Sequence, residues 1–246
     1  ELHSLVKSVG ENDRVVFYFA GHGETETLGL EGGDMGFLIP ADGDAEDLYL
    51  TAIPMDELKR ISDWSKAKHM LFLVDACYGG LSLQTRGLGK EQTPEYLKKM
   101  TNQKGRQVIT AGGKDEEVME KAEWGHSAFT KNLISGLEDD LADANDDGII
   151  SGEELGTYIR NGVAIDTEGQ HTPQKGRLGS DPGEFVFISQ TLETQVGDNE
   201  SQNSQLASVE SELAEIKKML LQSQNQTLPQ NPAPIIKPSK TPKMKT

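Results

Sequence analysis

The sequence predicts an α/β sandwich of three layers around a mostly parallel central sheet. Two short apolar runs, at 14–20 (RVVFYFA) and 69–74 (HMLFLV), are rich in β-branched and aromatic residues. Runs this continuous are typical of strands that are buried on both faces of a parallel sheet. Segments with helical patterning alternate with such runs along the chain, and this alternation predicts a helical layer on each face of the sheet.

The remaining elements follow in order along the chain. Residues 1–10 have the pattern of the end of an amphipathic helix, which Gly10 stops. Because a domain seldom begins within a helix, we expect an upstream strand and most of this helix to precede the sequence, and a signal peptide there stays an open alternative. The other predicted helices are 51–65, 127–137 and 152–163, and the other predicted strands are 106–111 and 184–188.

Composition narrows the class of protein. The chain has 246 residues with 24 basic and 40 acidic side chains, a formal net charge of −16. Sequence-independent binding to nucleic acid or to an anionic membrane needs a positive surface, so cationic peptides are the better partners. No apolar stretch is long enough for a transmembrane helix. The single cysteine, Cys77, excludes an internal disulfide framework and a multi-cysteine zinc site, and we expect a cytoplasmic protein.

The composition changes after about residue 190. We therefore predict a catalytic domain over 1–190, a linker over 191–204, a helix over 205–225 and a disordered Pro- and Lys-rich tail over 226–246. Apolar residues within 206–220 recur at intervals of three and four, the seam of a short coiled coil through which the chain would self-associate. A single amphipathic helix docked on the domain fits this short pattern equally well.

Two reactive side chains follow the first two predicted strands. The run at 14–20 leads into Gly21, His22 and Gly23, and the run at 69–74 leads into Asp75, Ala76 and Cys77. Chemistry in parallel sheets collects at the carboxyl ends of the strands, so neighbouring strands would bring His22 and Cys77 together. An imidazole beside a thiol is the working unit of a cysteine hydrolase. A lone buried cysteine and a lone histidine are more often structural, and the pairing is what favours catalysis.

These segments resemble a known family. Residues 17–24 (FYFAGHGE) and 71–80 (LFLVDACYGG) are similar to the two catalytic signatures of the caspase-like superfamily, particularly of bacterial metacaspase-like peptidases. Further similar segments follow in the family's order over roughly 1–190: GFLIPADGD at 36–44, RQVITAGGKDE at 106–116, GHSAFTKNLISGL at 125–137 and the closing GEFVFI. Metacaspases commonly have DSCHSG where this chain has DACYGG, a departure that leaves the aspartate and the cysteine in place.

The resemblance implies a fold and a catalytic apparatus. It implies a caspase-like sandwich in which Cys77 is the nucleophile and His22 is the general base and acid. The backbone amides of Gly23 and Cys77 would form the oxyanion hole. The family usually works with a Cys-His dyad, so no third residue is assigned.

Acidic residues near the predicted nucleophile indicate the substrate. Asp75 lies two residues before Cys77, close to where the residue preceding the scissile bond must lie, and a carboxylate there attracts Arg or Lys, as in metacaspases. The alternative is that Asp75 accepts hydrogen bonds from loop amides. Asp115, after the third strand, is a second candidate acid, although Glu116 and Glu117 beside it could equally form a solvated face.

A separate motif predicts a calcium site. Residues 143–154 match an EF-hand-type loop, with Gly148 at its sharp turn and predicted helices on both sides. The predicted Ca²⁺ ligands are Asp143, Asn145, Asp147, the Ile149 carbonyl, Ser151 and Glu154. A single loop of this kind is more typical of a structural site than of a sensor, and an Asp- and Gly-rich turn that binds nothing is the alternative.

Two hypotheses from different classes follow. The leading one is a calcium-binding cysteine endopeptidase that hydrolyses peptide bonds after Arg or Lys. The other is a catalytically silent caspase-like scaffold that binds calcium and assembles through 206–220. The segment 81–105 has no strong apolar period and several basic residues, which predicts a long exposed connection that the enzyme itself would cut, first after Arg86 and before a helix-like stretch at 94–100. A surface loop that the enzyme does not cut is the alternative.

Overall fold

The computed structural model describes residues 2–27, 29, 33–76, 93–113, 116 and 119–189, of which the side chains of 2, 3, 5, 94 and 95 are not described. The predicted linker, C-terminal helix and tail lie outside these residues, as do Cys77 and Asp115. In chain order the elements are α1 (Leu2–Ser8), β1 (Arg14–Ala20), β2 (His22–Thr27), β3 (Asp34–Ile39), α2 (Leu48–Thr51), β4 (Ile53–Pro54), α3 (Met55–Trp64), β5 (His69–Asp75), α4 (Pro94–Thr101), β6 (Gly105–Thr110), α5 (Ala128–Glu138), β7 (Ile149–Ser151), α6 (Gly152–Asp166), β8 (Gln174–Arg177) and β9 (Val186–Ile188).

Four strands form the central sheet, in the order β1-β5-β6-β8. The pairs β1-β5 and β5-β6 are parallel, and β8 runs antiparallel at the edge beside β6. All seven residues of β5 and all six of β6 are buried, as expected for the inner strands of a sheet covered on both faces. The predicted, mostly parallel sheet is thereby confirmed, and the first two predicted strands are neighbours in it. The prediction that both are covered on both faces is wrong for β1, which lies at the other edge of the described sheet and has only Val15 buried.

Each face of the sheet carries its own apolar core. Successive side chains of a strand point to opposite faces, so β5 contributes Met70, Phe72 and Val74 to one core and Leu71 and Leu73 to the other. The first core packs against α1 and α3, and the second against α5 and α6. This is the predicted three-layer sandwich.

A buried arginine ties β6 to the connection that precedes β5. The Arg106 side chain is almost fully buried and donates hydrogen bonds to the carbonyl oxygens of Ser62 (3.0 Å), Ala67 (2.6 Å) and Lys68 (2.9 Å). Because guanidinium N–H groups lie in a fixed planar fork, these bonds set the position of the chain between α3 and β5. The apolar side chains at the start of β5 are thereby held in register with β6.

The predicted helix over 51–65 is wrong in its first part. The chain forms the short helix α2, then pairs Ile53 and Pro54 with β3, and only then enters α3. Proline lacks the N–H that a helix interior needs and favours extended backbone in the residue before it, so Pro54 separates the two helices and occupies the N-cap position of the second.

Two further elements differ from the predictions. His22–Thr27 and Asp34–Ile39 form an antiparallel pair, β2-β3, which is not among the predicted strands. In the connection predicted over 81–105, the helix-like stretch at 94–100 is the helix α4, and it is not fully exposed, because its Leu97 and Met100 are buried. Its N-cap is Thr93, whose hydroxyl accepts a hydrogen bond from the Tyr96 amide.

In the described part of the chain, the helices are too short or too polar to cross a membrane.

Candidate active site

The site is built on the carboxyl ends of β1 and β5. Ala20 is the register partner of Asp75, and the Gly21 amide continues the ladder by donating to the Asp75 carbonyl oxygen at 3.1 Å. His22 lies two residues beyond Ala20. Cys77 lies two residues beyond Asp75 in the sequence and falls outside the described residues. Both predicted catalytic residues therefore follow one register pair at the same spacing.

His22 and His69 lie at opposite ends of the parallel strands: His22 follows the carboxyl end of β1, and His69 is at the amino end of β5. His22 is the first residue of β2, pairs with Ile39 and is exposed to solvent. His69 is the first residue of β5 and is buried, with its Nε2 atom 3.0 Å from the Gln103 carbonyl oxygen. Burial, with the nearby Arg14 charge, lowers the pKa of His69 to about 4, so this imidazole is neutral at ordinary pH. Of these two imidazoles, His22 has the exposure that a general base for a peptide substrate requires.

Asp75 is held by the first turn of α5. Its side chain is buried, with 4 % of the residue exposed, and its Oδ2 atom accepts hydrogen bonds from the hydroxyls of Ser127 and Thr130, the latter at 2.5 Å. Tyr18 on β1 extends this group, with its hydroxyl 2.7 Å from Thr130 Oγ1. The alternative weighed for Asp75, a carboxylate bound by loop amides, is not what the described residues form, because hydroxyls are its partners there.

One oxygen of this carboxylate is left over. Asp75 Oδ1 is buried and has no hydrogen-bond partner among the described residues. A buried carboxylate oxygen without a donor is costly, so such an atom indicates a partner outside those residues, in the chain or in a ligand. The predicted contact with a basic substrate residue would supply that donor.

Burial raises the pKa of Asp75 to about 6. The Ser127 and Thr130 hydroxyls oppose this shift by stabilising the charged form, and the Glu120 carboxylate adds to it by repulsion. Glu120 lies near Asp75 because it forms a β-bridge with Ser127, next to the hydrogen bond from the Ala128 amide to the Met119 carbonyl. The side chain of Asp75 thus changes charge within the physiological range.

Sequence reasoning missed several members of this site. Ser127 has a local signal, since a serine before a helical segment is a preferred N-cap, and its hydroxyl does accept from the Thr130 amide at 3.0 Å. Nothing in the sequence relates Ser127, Thr130, Tyr18 or Glu120 to Asp75. Asp115 falls outside the described residues. Its neighbour Glu116 accepts hydrogen bonds from the amides of Gly113 (3.1 Å) and Thr172 (2.9 Å) instead of facing solvent alone.

The predicted calcium loop connects α5 to β7 and α6. The Asp143 carboxylate accepts hydrogen bonds from the amides of Asp147 (3.2 Å) and Gly148 (2.8 Å), which close the loop on its first acidic residue. Gly148 has a φ of +81°, a conformation that only glycine adopts at little cost, and Asp146 has a φ of +55°. This backbone fits the sharp turn that the sixth position of such a loop requires.

Glu154, the predicted bidentate ligand, is engaged elsewhere. Its carboxylate accepts hydrogen bonds from the Ser151 amide (2.9 Å) and hydroxyl (2.8 Å), forming a capping box at the start of α6. Burial, chiefly, and the negative charges of Asp147 and Asp143 raise its pKa. Among the described residues, no three acidic, histidine or cysteine side chains are grouped as a metal site. The loop therefore has a suitable backbone, and Ca²⁺ would have to share the Glu154 carboxylate with the Ser151 amide and hydroxyl.

The stretch of sequence that contains His22 is strongly acidic. No Lys or Arg occurs between Arg14 and Lys59, whereas the same stretch contains ten acidic residues. The turn after β3 begins immediately after Ile39, the register partner of His22, and its acidic residues are exposed. The acidic residues of the stretch are Glu24, Glu26, Glu31, Asp34, Asp42, Asp44, Glu46, Asp47, Asp56 and Glu57.

Comparison with protein-family models matches residues 1–233 of the chain to the caspase domain. A search of curated proteins finds no match.

Proposed function

The chain belongs to the caspase-domain family of cysteine peptidases, and from this membership we propose that it is an endopeptidase that hydrolyses peptide bonds after Arg or Lys. Cys77 acts as the nucleophile and His22 as the general base and acid. Asp75 binds the basic side chain before the scissile bond, Asp115 is a second acid for that pocket, and the loop at 143–154 binds Ca²⁺.

The observation that carries the proposal is the register of β1 and β5. Ala20 and Asp75 are partners in adjacent parallel strands, and the proposed base and nucleophile each follow one of them by two residues. Equal spacing from one register pair is what a Cys-His dyad at a shared sheet edge requires. The exposure of His22 suits a base that must reach a peptide from solvent.

The reaction would proceed in two halves. His22 accepts the proton of the Cys77 thiol, and the thiolate sulfur attacks the carbonyl carbon of the scissile bond. The Gly23 and Cys77 amides donate hydrogen bonds to the oxyanion of the tetrahedral intermediate. His22 then protonates the leaving amine and a thioester forms. A water molecule that loses its proton to His22 hydrolyses the thioester, which releases the acid product and restores the thiol.

Support for basic specificity comes from Asp75. Two hydroxyls fix its Oδ2 atom, and Oδ1 has no donor among the described residues. A guanidinium or ammonium group would supply that donor through a charge-assisted hydrogen bond, and it would compensate the buried charge. A substrate with Asp at the same place would instead bring a second carboxylate to Asp75 and be repelled.

The calcium part of the proposal rests on the loop backbone. Asp143, Asn145, Asp147, the Ile149 carbonyl, Ser151 and Glu154 would hold the ion, which would supply positive charge to neutralise these carboxylates. The loop is continuous with β7, whose three residues pair with β9, and then with α6. A bound ion would thus stabilise the junction of α6 with the last described strand, which is a structural role.

The test is peptide turnover combined with covalent trapping. The full chain should cleave reporter peptides with Arg or Lys before the scissile bond and leave a matched Asp peptide intact, and Cys77→Ala should abolish the cleavage. An Arg-based chloromethyl ketone should add one mass equivalent to the protein and none to Cys77→Ala. If no peptide is cleaved and no adduct forms, with or without calcium, the silent-scaffold hypothesis is correct. If the Asp peptide is preferred, the assignment of Asp75 is wrong.

A further inference from the structure

The hydrogen bonds behind Asp75 have a defined direction. Thr130 has a single hydroxyl proton, which it donates to Asp75 Oδ2 at 2.5 Å. The 2.7 Å contact between Thr130 Oγ1 and the Tyr18 hydroxyl must therefore use the Tyr18 proton. Ser127 likewise donates to Oδ2 while its oxygen accepts from the Thr130 amide. The hydroxyl protons of Ser127 and Thr130 thus both point to Asp75 Oδ2, and the hydroxyl proton of Tyr18 points to Thr130.

This arrangement suits an ionised carboxylate that cannot rotate. Asp75, Ser127 and Thr130 are all buried, and Ser127 is the N-cap and Thr130 a first-turn residue of α5, whose N-terminus favours negative charge. Rotating the carboxylate would break two hydrogen bonds at once. Oδ2 is therefore fixed by the protein, and Oδ1, which is buried, is the oxygen that still lacks a donor among the described residues.

We propose that Tyr18 and Thr130 are positioning residues for substrate specificity: they form a one-way hydrogen-bond relay that keeps Asp75 ionised, with Oδ1 available to the basic side chain of the substrate. The proposal deepens the proposed basic specificity and rests on it for its kinetic consequence. Neither residue touches the substrate. They act through the carboxylate that does.

The charged and titratable groups around Asp75 come from three elements. Tyr18 faces it from β1, Glu120 from the segment before α5, and the two hydroxyls from α5. Burial and the Asp75 charge raise the pKa of Tyr18 well above its usual value, so Tyr18 remains a proton donor. Burial and Glu120 oppose the ionisation of Asp75, and the hydroxyls favour it. Removing a hydroxyl should therefore shift Asp75 toward its neutral form.

The first measurement is independent of activity. The side-chain carboxyl carbon of Asp75 is labelled with ¹³C, and its NMR resonance is assigned by its disappearance in Asp75→Asn. In the wild type this resonance should titrate near pH 6. Thr130→Val should raise this midpoint by about one pH unit, which corresponds to the loss of one hydrogen bond to a charged group. Tyr18→Phe should raise it by a few tenths, since it weakens the Thr130 donor without removing it.

Two variants act as controls for this titration. Thr130→Ser keeps the hydroxyl and should restore the wild-type midpoint. Tyr158→Phe removes a comparable tyrosine contact, that with the Ser135 hydroxyl of α5, and should leave the midpoint unchanged. An unchanged midpoint in both Thr130→Val and Tyr18→Phe overturns the relay. If Thr130→Val fails to fold, Tyr18→Phe decides alone.

The second measurement connects the relay to specificity. The ratio of kcat/KM for an Arg peptide to that for its neutral citrulline counterpart should rise with pH, with a midpoint that follows the NMR value in each variant. Near pH 7, Thr130→Val should lower the ratio roughly twofold, because a shift of one unit reduces the ionised fraction from about nine-tenths to about one-half. A wild type with no preference for Arg overturns the basic specificity, while the NMR result still decides the relay. If the wild type clearly prefers Arg but the pH midpoint of this preference does not follow the NMR midpoint of Asp75 in the variants, the positioning role is overturned.

Discussion

His22 lies two residues beyond Ala20, the register partner of Asp75, yet the side chains of His22 and Asp75 differ completely in environment. His22 is exposed at the start of β2, whereas Asp75 is buried under the first turn of α5. The exposed His22 is suited to proton transfer with an incoming peptide. The buried Asp75 is suited to hold a carboxylate at a fixed position.

His22→Ala should lower turnover of an Arg peptide by several orders of magnitude. The imidazole and the thiol act as one unit, so the loss of the base removes most of the benefit of the nucleophile. The residue is exposed, so the midpoint of thermal unfolding should change little. Steady-state kinetics and a melting curve on the same preparation check both expectations, and near-normal turnover in His22→Ala would contradict the dyad.

The charge of Asp75 should make basic specificity depend on pH. Because burial raises its pKa to about 6, the side chain is neutral below that pH and negative above it. The preference for Arg over a neutral counterpart should therefore be lost as the pH falls through 6. Measuring a ratio of two substrates cancels the titration of the catalytic dyad, which affects both equally.

Asp75→Asn supplies the matched test. It removes the charge and keeps the shape, so the preference for Arg should fall and become independent of pH. Asp139→Asn, at the opposite end of α5, should retain the wild-type profile. If Asp75→Asn keeps both the preference and its midpoint, a different group recognises the basic side chain.

The helix-loop-helix formed by α5, the 143–154 loop and α6 should become more stable when calcium binds. Adding Ca²⁺ to chelator-treated protein should raise the midpoint of thermal unfolding, with about 2.7 kcal/mol of stabilisation at 100 times the Kd. Glu154→Gln should remove most of this shift, since Glu154 is the predicted bidentate ligand. Glu168→Gln, beyond the far end of α6, should leave it intact. If calcium does not change the midpoint of thermal unfolding of the wild type, the alternative of a turn that binds no ion is supported.

The sequence predicted the strands that contain runs of β-branched or aromatic residues. β5 and β6 are fully buried, whereas β1 is an apolar strand with only Val15 buried. β2, with the sequence HGETET, and β8, with the sequence QKGR, have no such pattern. They are strands because β3 and β6 offer them backbone partners, and those partners are set by the tertiary fold. The break between α2 and α3 at Pro54 could have been predicted from the chemistry of proline. The helical spacing of apolar residues over 51–65 favoured one continuous helix instead.

The same distinction applies to the site. The positions of His22 and Asp75 follow from where two apolar strands end. The contacts of Asp75 with Ser127 and Thr130 span 52 and 55 residues, and no local pattern encodes such a meeting. The fold creates it by packing α5 across the ends of β1 and β5.

We expect self-cleavage in the segment that connects β5 to β6. Leu97 and Met100 anchor α4, which places Lys98 and Lys99 in a helix that a peptidase cleaves poorly. The preceding basic residues, Arg86 first, are therefore the expected sites. Intact-mass measurement of the active protein and of Cys77→Ala, both with calcium, checks this prediction. Fragments in the active form alone support it, and equal intact masses in both contradict it.

The stretch without Lys or Arg between Arg14 and Lys59 has a consequence for how fast substrate arrives. Its exposed acidic residues include one in β2 and four in the turn that follows β3, the strand that pairs with His22, and they should create a negative potential on this side of the proposed site: Glu24, Asp42, Asp44, Glu46 and Asp47. Such a potential steers cationic molecules into productive encounters and raises the association rate constant, an effect that salt suppresses as the Debye length shrinks from about 30 Å at 0.01 M to about 8 Å at 0.15 M. Stopped-flow binding of an Arg peptide to Cys77→Ala should slow markedly over this range, while dissociation changes much less.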